Sequence, residues 1–139
     1  MLTGEYQYFL DKKNRCFIPV VFRRGVRKLF LVRGLERCLF IYSPEDFKKM
    51  LRKMATLPVT KSEARAFSRI FLSGAVECKL DTQGRILIPK HLLEWAEVKK
   101  KVIIIGLFNR LELWDKDKWA VYKQESLKNY TQLADSLGL

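Results

Sequence analysis

The sequence predicts an α+β fold, mainly β, that is built from two tandem copies of one small unit. Residues 10–19 return as residues 80–89 and keep the frame Leu-Asp-x-x-x-Arg-x-x-Ile-Pro at an offset of 70 residues. Gly4 and Gly74 pair in the same register. An internal repeat of this kind indicates a duplicated architecture. Because 139 residues fit one domain, we expect the two copies to share one core.

Each copy opens with a strand and a turn. Residues 5–10 and 76–80 alternate between two faces, and this period of two predicts a strand in each copy. The turns that follow carry Asn14 in one copy and Gly84 in the other at their fourth position. Both residue types tolerate positive φ, which predicts a left-handed position in a tight hairpin.

The middle of each copy is predicted to contain a short strand, a short helix and two buried strands. Pro19 and Pro89 end the short strands and suit the first turn of the helices that follow. The predicted pairs of elements are short strands at 16–18 and 86–88, short helices at 20–24 and 90–97, buried strands at 29–32 and 102–105, and further strands around Leu39 with Ile41 and Leu111 with Leu113.

A longer helix ends each copy. Ser43 before Pro44 predicts the N-cap of the first, and Asp115 takes the same place in the second. Between the copies, residues 60–63 have the form of a capping box that opens a helix through about residue 71. The predicted domain organisation is a first repeat at 1–56, a linker and helix at 57–73, a second repeat at 74–125 and a C-terminal helix or tail at 126–139.

The charge is strongly basic and unevenly distributed. The chain has 27 Lys+Arg against 15 Asp+Glu, a net charge of +12. Residues 1–70 carry 16 basic and 6 acidic groups, whereas residues 71–139 carry 11 and 9. This asymmetry favours a polyanionic partner, with nucleic acid ahead of a lipid surface. The longest apolar stretch, 102–108, is too short to span a bilayer, so we expect no membrane partner.

The residue inventory predicts neither an enzyme nor a metal or cofactor site. His91 is the lone histidine, and no two cysteines stand at metal-ligand spacing. Asp11 and Asp81 each precede an arginine by four residues, which keeps the carboxylate ionised and unsuited to acid–base catalysis near neutral pH. We expect the three cysteines to be reduced thiols buried in strands; they are Cys16, Cys38 and Cys78.

The two turns are the best candidates for the functional part. We expect Asp11 and Asp81 to clasp their turns by accepting backbone N–H groups, with the arginine as a brace. An exposed pair of this kind adds little stability, whereas a guanidinium on a rigid turn can fork onto a phosphate or a guanine edge. Because basic residues cluster around the first turn, we expect that turn to meet DNA and the second mainly to build the scaffold. Charge placement predicts DNA contact by Lys12, Lys13, Arg23, Arg24, Arg27 and Lys28.

The doubled motif, the leading glycines, the length and the interposed helices resemble the MraZ family. These are bacterial transcriptional regulators of the division and cell-wall gene cluster, related to the AbrB/SpoVT swapped-hairpin group. The resemblance implies two AbrB-like swapped-hairpin repeats that form a pseudo-twofold β-barrel with peripheral helices. It also implies a ring-like homo-oligomer that binds repeated elements in the promoter of its own operon, and a location in the cytoplasm, associated with the nucleoid.

The resemblance also implies roles for individual residues. Arg15 matches the first-motif arginine that the family uses for DNA contact, with Asp11 as its partner in the turn. Asp81 and Arg85 form the second motif, and Arg85 is counted with the DNA-binding residues. Asn14 is also counted with the DNA-binding residues. It stands where the family usually has glycine, and this departure can alter the turn geometry and so the reach of Arg15.

A second hypothesis is an oligomeric assembly protein that binds a protein partner and whose basic face is incidental or touches RNA. The last helix offers apolar contacts for such a partner, although residues of this kind are more often core or subunit interface; they are Trp119, Tyr122, Leu127 and Tyr130. Preference for operator DNA over random DNA of equal length would distinguish a regulator from such a protein.

Overall fold

A computed structural model describes residues 2–139 of the chain. This part forms eight strands, five α-helices and one 3₁₀ turn, Val20–Phe22. The strands are β1 (Glu5–Phe9), β2 (Arg15–Phe17), β3 (Lys28–Arg33), β4 (Leu39–Tyr42), β5 (Val76–Lys79), β6 (Arg85–Leu87), β7 (Lys101–Leu107) and β8 (Arg110–Asp115). The helices are α1 (Pro44–Met54), α2 (Ser62–Ser73), α3 (Lys90–Ala96), α4 (Lys116–Lys128) and α5 (Tyr130–Ser136).

The strands form two antiparallel sheets. Six of them make one sheet in the order β1-β7-β8-β4-β3-β5, and β2 pairs with β6 in a separate two-stranded ribbon. The mixed α and β content, with sheets at the centre, agrees with the predicted fold class. Tandem repetition also fits, because the elements of the second repeat follow the same order as those of the first.

The two repeats exchange strands. In the first repeat β1 pairs with β7 and β2 with β6, and in the second repeat β5 pairs with β3. A simple local hairpin is therefore the wrong description of the turns, because the strands on either side of each turn belong to different sheets. Reciprocal bonds join the two turns: Ile18 N–H donates to Gly84 O at 3.0 Å, and Ile88 N–H donates to Asn14 O at 2.9 Å.

The pseudo-twofold β-barrel that the resemblance implied is not a closed barrel. The large sheet ends at β1 on one side and at β5 on the other, and these two strands are not neighbours. The reason is that β2 and β6 pair with each other in the ribbon and do not bridge the two edges.

Alternation along the strands gives the large sheet two apolar faces. One face packs beneath the ribbon and α3 in a core that draws on both repeats, including Leu31 and Ile104 from the sheet and Cys16 and Ile86 from the ribbon. The other face, which includes Phe40 and Trp114, packs against α1, α2 and α4. The molecule therefore has three layers, with the ribbon and α3 on one side of the sheet and the longer helices on the other.

The helix ends agree with the sequence in most places. Ser43 caps α1 by accepting from Asp46 N–H at 3.2 Å, and the Asp115 carboxylate caps α4. The capping box at 60–63 is wrong, because the Ser62 hydroxyl donates to the Glu63 carboxylate and α2 begins at Ser62 without a side-chain cap. None of the helices within residues 2–139 is both long and apolar enough to cross a bilayer.

Candidate nucleic-acid interface

The first turn is held closed by one carboxylate. Asp11 Oδ1 accepts the backbone N–H groups of Lys13 and Arg15, both at 2.9 Å, and Oδ2 accepts Arg15 Nε–H at 2.7 Å. Asn14 lies at a φ of 61°, the left-handed position that its residue type predicted. These bonds hold both the backbone of the turn and the Arg15 side chain in place.

The second turn repeats this geometry. Asp81 Oδ1 accepts from Gln83 N and Arg85 N at 2.9 Å each, and Oδ2 accepts from Arg85 Nε at 2.8 Å. Gly84 takes the left-handed position with a φ of 83°. Both aspartates therefore have the geometry of the expected clasp.

Hydrogen bonding lowers the pKa of both aspartates. The backbone N–H of Arg15 is the main cause for Asp11, with smaller contributions from its guanidinium and from the Lys13 amide. The Arg85 backbone N–H has the same effect on the pKa of Asp81. The carboxylates thus stay ionised at neutral pH and serve as acceptors, which suits a structural clasp.

The ribbon presents four side chains on its outer face. Cys16 lies opposite Ile86 and both are buried, so the alternate residues of β2 and β6 point away from the core. In the register of the ribbon, Arg15 lies opposite Leu87 and Phe17 lies opposite Arg85. The outward residues form a square in which the two arginines occupy diagonally opposite corners: Arg15, Phe17, Arg85 and Leu87.

The two arginines differ in how free they are. The Arg15 side chain is 31% exposed, and within residues 2–139 its guanidinium binds protein through Nε alone. The Arg85 side chain is 19% exposed, lies 5.8 Å from the Phe17 ring centroid, and has Nη1 3.9 Å from Asp11 Oδ2. Both terminal amino groups of Arg15 are therefore left without a protein partner within residues 2–139, whereas Arg85 ties the two turns together.

Arg23 braces the second turn. Its Nη1 donates to the carbonyls of Ile18, Gln83 and Gly84 at 3.0, 3.3 and 3.1 Å. The guanidinium occupies the space that a side chain at Gly84 would need. The predicted DNA contact of Arg23 stays a prediction, but the structure gives this residue a structural task as well.

The remaining predicted cations lie around the ribbon. Lys28 Nζ is paired with Glu77 at 2.8 Å, and Arg27 accepts a backbone bond from Leu80, next to the second turn. Four of the cations predicted to bind DNA are exposed and have no ion-pair partner within residues 2–139: Lys12, Lys13, Arg24 and Arg27.

The structure places a further group of cations, which was not assigned from the sequence, beside the first turn. Leu10 N–H donates to Lys100 O at 2.8 Å, so the exposed run Lys99–Lys100–Lys101 borders the first turn. The equivalent bond, Leu80 N–H to Arg27 O, places the basic segment of the first repeat beside the second turn. Because the strands are exchanged, each turn is flanked by the cations of the other repeat. The run of three lysines was visible in the sequence, but its position required the strand pairing.

The groups that an enzyme or metal site would use are engaged in packing or backbone bonds. His91 Nε2 lies 3.1 Å from Gly74 O. The three cysteines are free and buried, and burial raises the pKa of the Cys16 thiol to about 12. No group of three or more potential metal ligands occurs among residues 2–139.

Comparisons with known proteins give a consistent result. Residues 1–70 and residues 71–137 each match the family model described as "MraZ protein, putative antitoxin-like". A protein of Caldanaerobacter subterraneus subsp. tengcongensis named "Transcriptional regulator MraZ" is 46% identical over 138 residues, which cover 99% of this chain and 96% of the relative.

A second relative with the same name, from Natranaerobius thermophilus, is 44% identical over 138 residues, again covering 99% of this chain and 96% of the relative. Two matches to one family model, one in each half of the chain, account for nearly the whole sequence. The chain therefore belongs to the MraZ family.

Proposed function

We propose that this chain is a sequence-specific DNA-binding transcriptional regulator that acts as an oligomeric ring on the promoter of its own division and cell-wall operon. The names of its relatives support the regulatory role. One structural observation carries the DNA-binding part: the Arg15 guanidinium is fixed through Nε on a rigid turn, while neither of its terminal amino groups has a hydrogen-bond partner within residues 2–139.

The shape of the ribbon supports this proposal. A two-stranded antiparallel ribbon fits the major groove of B-DNA. Its outer face offers the Arg15 guanidinium for hydrogen bonds to guanine, with Phe17 and Leu87 as apolar neighbours suited to thymine methyl groups. The clasp removes the rotational freedom of Arg15 before binding, so less entropy is lost when it forks onto a base or phosphate.

The surrounding charge supports backbone contacts. Lys12, Lys13 and Arg24 are exposed beside the ribbon, and residues 99–101 extend the cationic surface on the side of the first turn. Such residues neutralise phosphates without reading sequence, and they set the salt dependence of binding.

Oligomerisation would raise the affinity. One protomer presents a single short ribbon, so several chains on repeated promoter elements gain through effective concentration what each lacks alone. A ring of AbrB-like swapped-hairpin repeats, acting in the cytoplasm at the nucleoid, is the assembly that we propose.

The test compares Arg15→Ala with a matched control, Arg52→Ala, on DNA from upstream of the gene for this protein. Arg52 lies on α1, on the opposite face of the sheet from the ribbon, and its loss changes the net charge by the same amount. We expect Arg15→Ala to lose about 1–3 kcal/mol of binding free energy per engaged site, and Arg52→Ala to bind like the wild type in fluorescence anisotropy.

The oligomer is measured alongside by sedimentation. Assembly should survive Arg15→Ala, because this side chain bonds within its own turn. Equal binding of promoter and random DNA by the wild type would contradict the proposal and favour a protein or RNA partner. Loss of the assembly in Arg15→Ala would return the residue to a structural role.

A further inference from the structure

Helix α5 and its C-cap residue, Leu137, carry an apolar stripe that is exposed in the protomer. Tyr130, Leu133 and Leu137 follow each other at helical spacings of three and four residues and are 70%, 48% and 74% exposed. Ala134 lies on the same stripe. Stripes of this kind are typical of helices that bind in an apolar groove through residues i, i+3, i+4 and i+7.

The same chain contains a groove of suitable character. It lies between α1 and α2 and has a volume of about 530 Å³. Its walls include Leu51 and Met54 from α1, Leu72 from α2, and Leu57 and Val59 from the linker. Leu57, Val59 and Leu72 are exposed in the protomer, so the groove presents an apolar surface that lacks a cover.

The charges of the two surfaces are complementary. The chain has 27 Lys+Arg, yet none of them lies between Asn129 and Leu139, where Asp135 is the one charged side chain. The groove is bordered by Arg65 and Arg69. Arg65 Nη1 donates to Val59 O at 3.0 Å and supports the linker wall, whereas Arg69 has no ion-pair partner within residues 2–139.

We propose that α5 of one copy docks into the α1–α2 groove of the next copy, with Asp135 beside Arg69. Each contact would then join two different surfaces, the stripe of one copy and the groove of the next, so it is heterologous. Heterologous contacts build a closed ring when the rotation between neighbouring copies adds up to a full turn. This inference rests on the proposed oligomer and assigns its interface. The groove lies on the face of the sheet opposite the ribbon, so assembly leaves the DNA-binding surface open.

The decisive experiment uses two variants, Leu133→Glu in the stripe and Leu72→Glu in the groove, studied by sedimentation without DNA. Both residues are exposed in the protomer, so the fold should survive. We expect each variant alone to be monomeric. An equimolar mixture should form dimers and nothing larger. The intact stripe of Leu72→Glu can dock into the intact groove of Leu133→Glu, but the other stripe and the other groove in that dimer are both damaged and cannot bind a third copy.

A charge exchange provides an independent test. Asp135→Arg and Arg69→Glu should each weaken the assembly, and the double variant should restore it. A monomeric wild type, an assembly that persists in Leu133→Glu, or a mixture that stays monomeric would overturn the proposal. Because DNA is absent, these outcomes are independent of the DNA-binding proposal, which Arg15→Ala tests in an intact oligomer.

Discussion

At the scale of single residues, two identical motifs acquire different roles from their neighbours. Arg15 and Arg85 make the same bonds to their own aspartates. Across the ribbon, however, Arg85 faces the Phe17 ring and reaches Asp11, whereas Arg15 faces Leu87. An aromatic ring and a second carboxylate hold Arg85 within the protein, and their absence around Arg15 leaves that guanidinium available.

The clasp predicts a pH dependence with a definite sign. The pKa of Asp11 and of Asp81 is lower in the folded protein than in the unfolded chain, so their contribution to stability is present at neutral pH. It is lost as the pH falls from the ordinary carboxyl value of about 3.9 through the lowered folded pKa. Protection of the Arg15 and Arg85 amides, taken as their exchange rate relative to an unstructured amide at the same pH, should fall in that acid range.

Asp11→Asn supplies the control for this titration. An amide oxygen accepts hydrogen bonds but does not titrate in this range. The variant should therefore remove the acid transition of the first turn and leave that of the second, where Asp81 is unchanged. An acid transition of the Arg15 amide that persists in Asp11→Asn would contradict the assignment.

Gly84 and Asn14 allow a matched comparison of backbone strain. Gly84→Ala places a methyl group where the Arg23 guanidinium lies, at a φ of 83°. A non-glycine residue in the left-handed region costs about 1–2 kcal/mol, and the displaced Arg23 loses bonds to three carbonyls. We expect Gly84→Ala to lower the free energy of unfolding by more than 1 kcal/mol, measured by urea denaturation.

Asn14→Ala is the counterpart in the first turn. Asn14 already tolerates a φ of 61° as a non-glycine residue, and position 93 of the second repeat, which corresponds to Arg23, is a leucine. The cost of Asn14→Ala should therefore be smaller than that of Gly84→Ala. If the collision between the methyl group introduced by Gly84→Ala and the Arg23 guanidinium contributes, adding Arg23→Ala to Gly84→Ala should recover part of the lost unfolding free energy. An unchanged loss would attribute the whole effect to the positive φ.

At the scale of elements, the ribbon owes its existence to both repeats. Strands β2 and β6 have three residues each and pair with one another, and β1 and β5 also find their partners in the opposite repeat. Short isolated strands are marginal in water. Within the first repeat, the ladder that remains local is that between β3 and β4.

Fragments test this interdependence. We expect residues 1–73 alone to fail to fold as a monomer, because β1 and β2 lose their partners and the buried Cys16 and Ile18 side chains become exposed. Mixing this fragment with residues 74–139 should restore β structure in far-UV circular dichroism, with a one-to-one mass by sedimentation. A cooperatively folded monomer of residues 1–73 would show that the repeats are independent.

At the scale of the whole molecule, the three layers separate two surfaces. The ribbon and its cations lie on one face of the large sheet, and the longer helices with their apolar groove lie on the other. The chain belongs to a family of transcriptional regulators, which confirms the prediction that it is not an enzyme. The surfaces that we propose for DNA binding and for assembly therefore lie on different faces of the sheet.

Salt dependence measures how many cations meet phosphate. If about five cations of each copy contact phosphates, log K should fall against log salt with a slope of about −4 to −5 per bound copy. Replacing Lys99, Lys100 and Lys101 by alanine should make that slope shallower by about two to three units, if residues 99–101 belong to the interface as their place beside the first turn indicates.

The control for the lysine variant removes the same charge elsewhere. Lys48, Lys49 and Lys53 lie on α1, across the sheet from the ribbon, and their replacement by alanine should leave the slope unchanged. Equal slopes for the two triple variants would mean that overall charge governs binding and that position does not. A flat salt response of the wild type would remove the electrostatic argument altogether.

Features that depend on nearby residues could be predicted from the sequence. The clasps of Asp11 and Asp81, the positive φ of Asn14 and Gly84, and the Ser43 cap arise from bonds spanning a few residues, so short motifs suffice. Other features depend on contacts between segments that are distant in the chain. These features are the strand exchange, the open sheet, the Arg23 brace and the position of residues 99–101 beside the first turn. Period-two alternation shows which face of a strand is buried but does not identify the strand with which it pairs. For that reason, only the tertiary structure decided which cationic segment lies beside each turn.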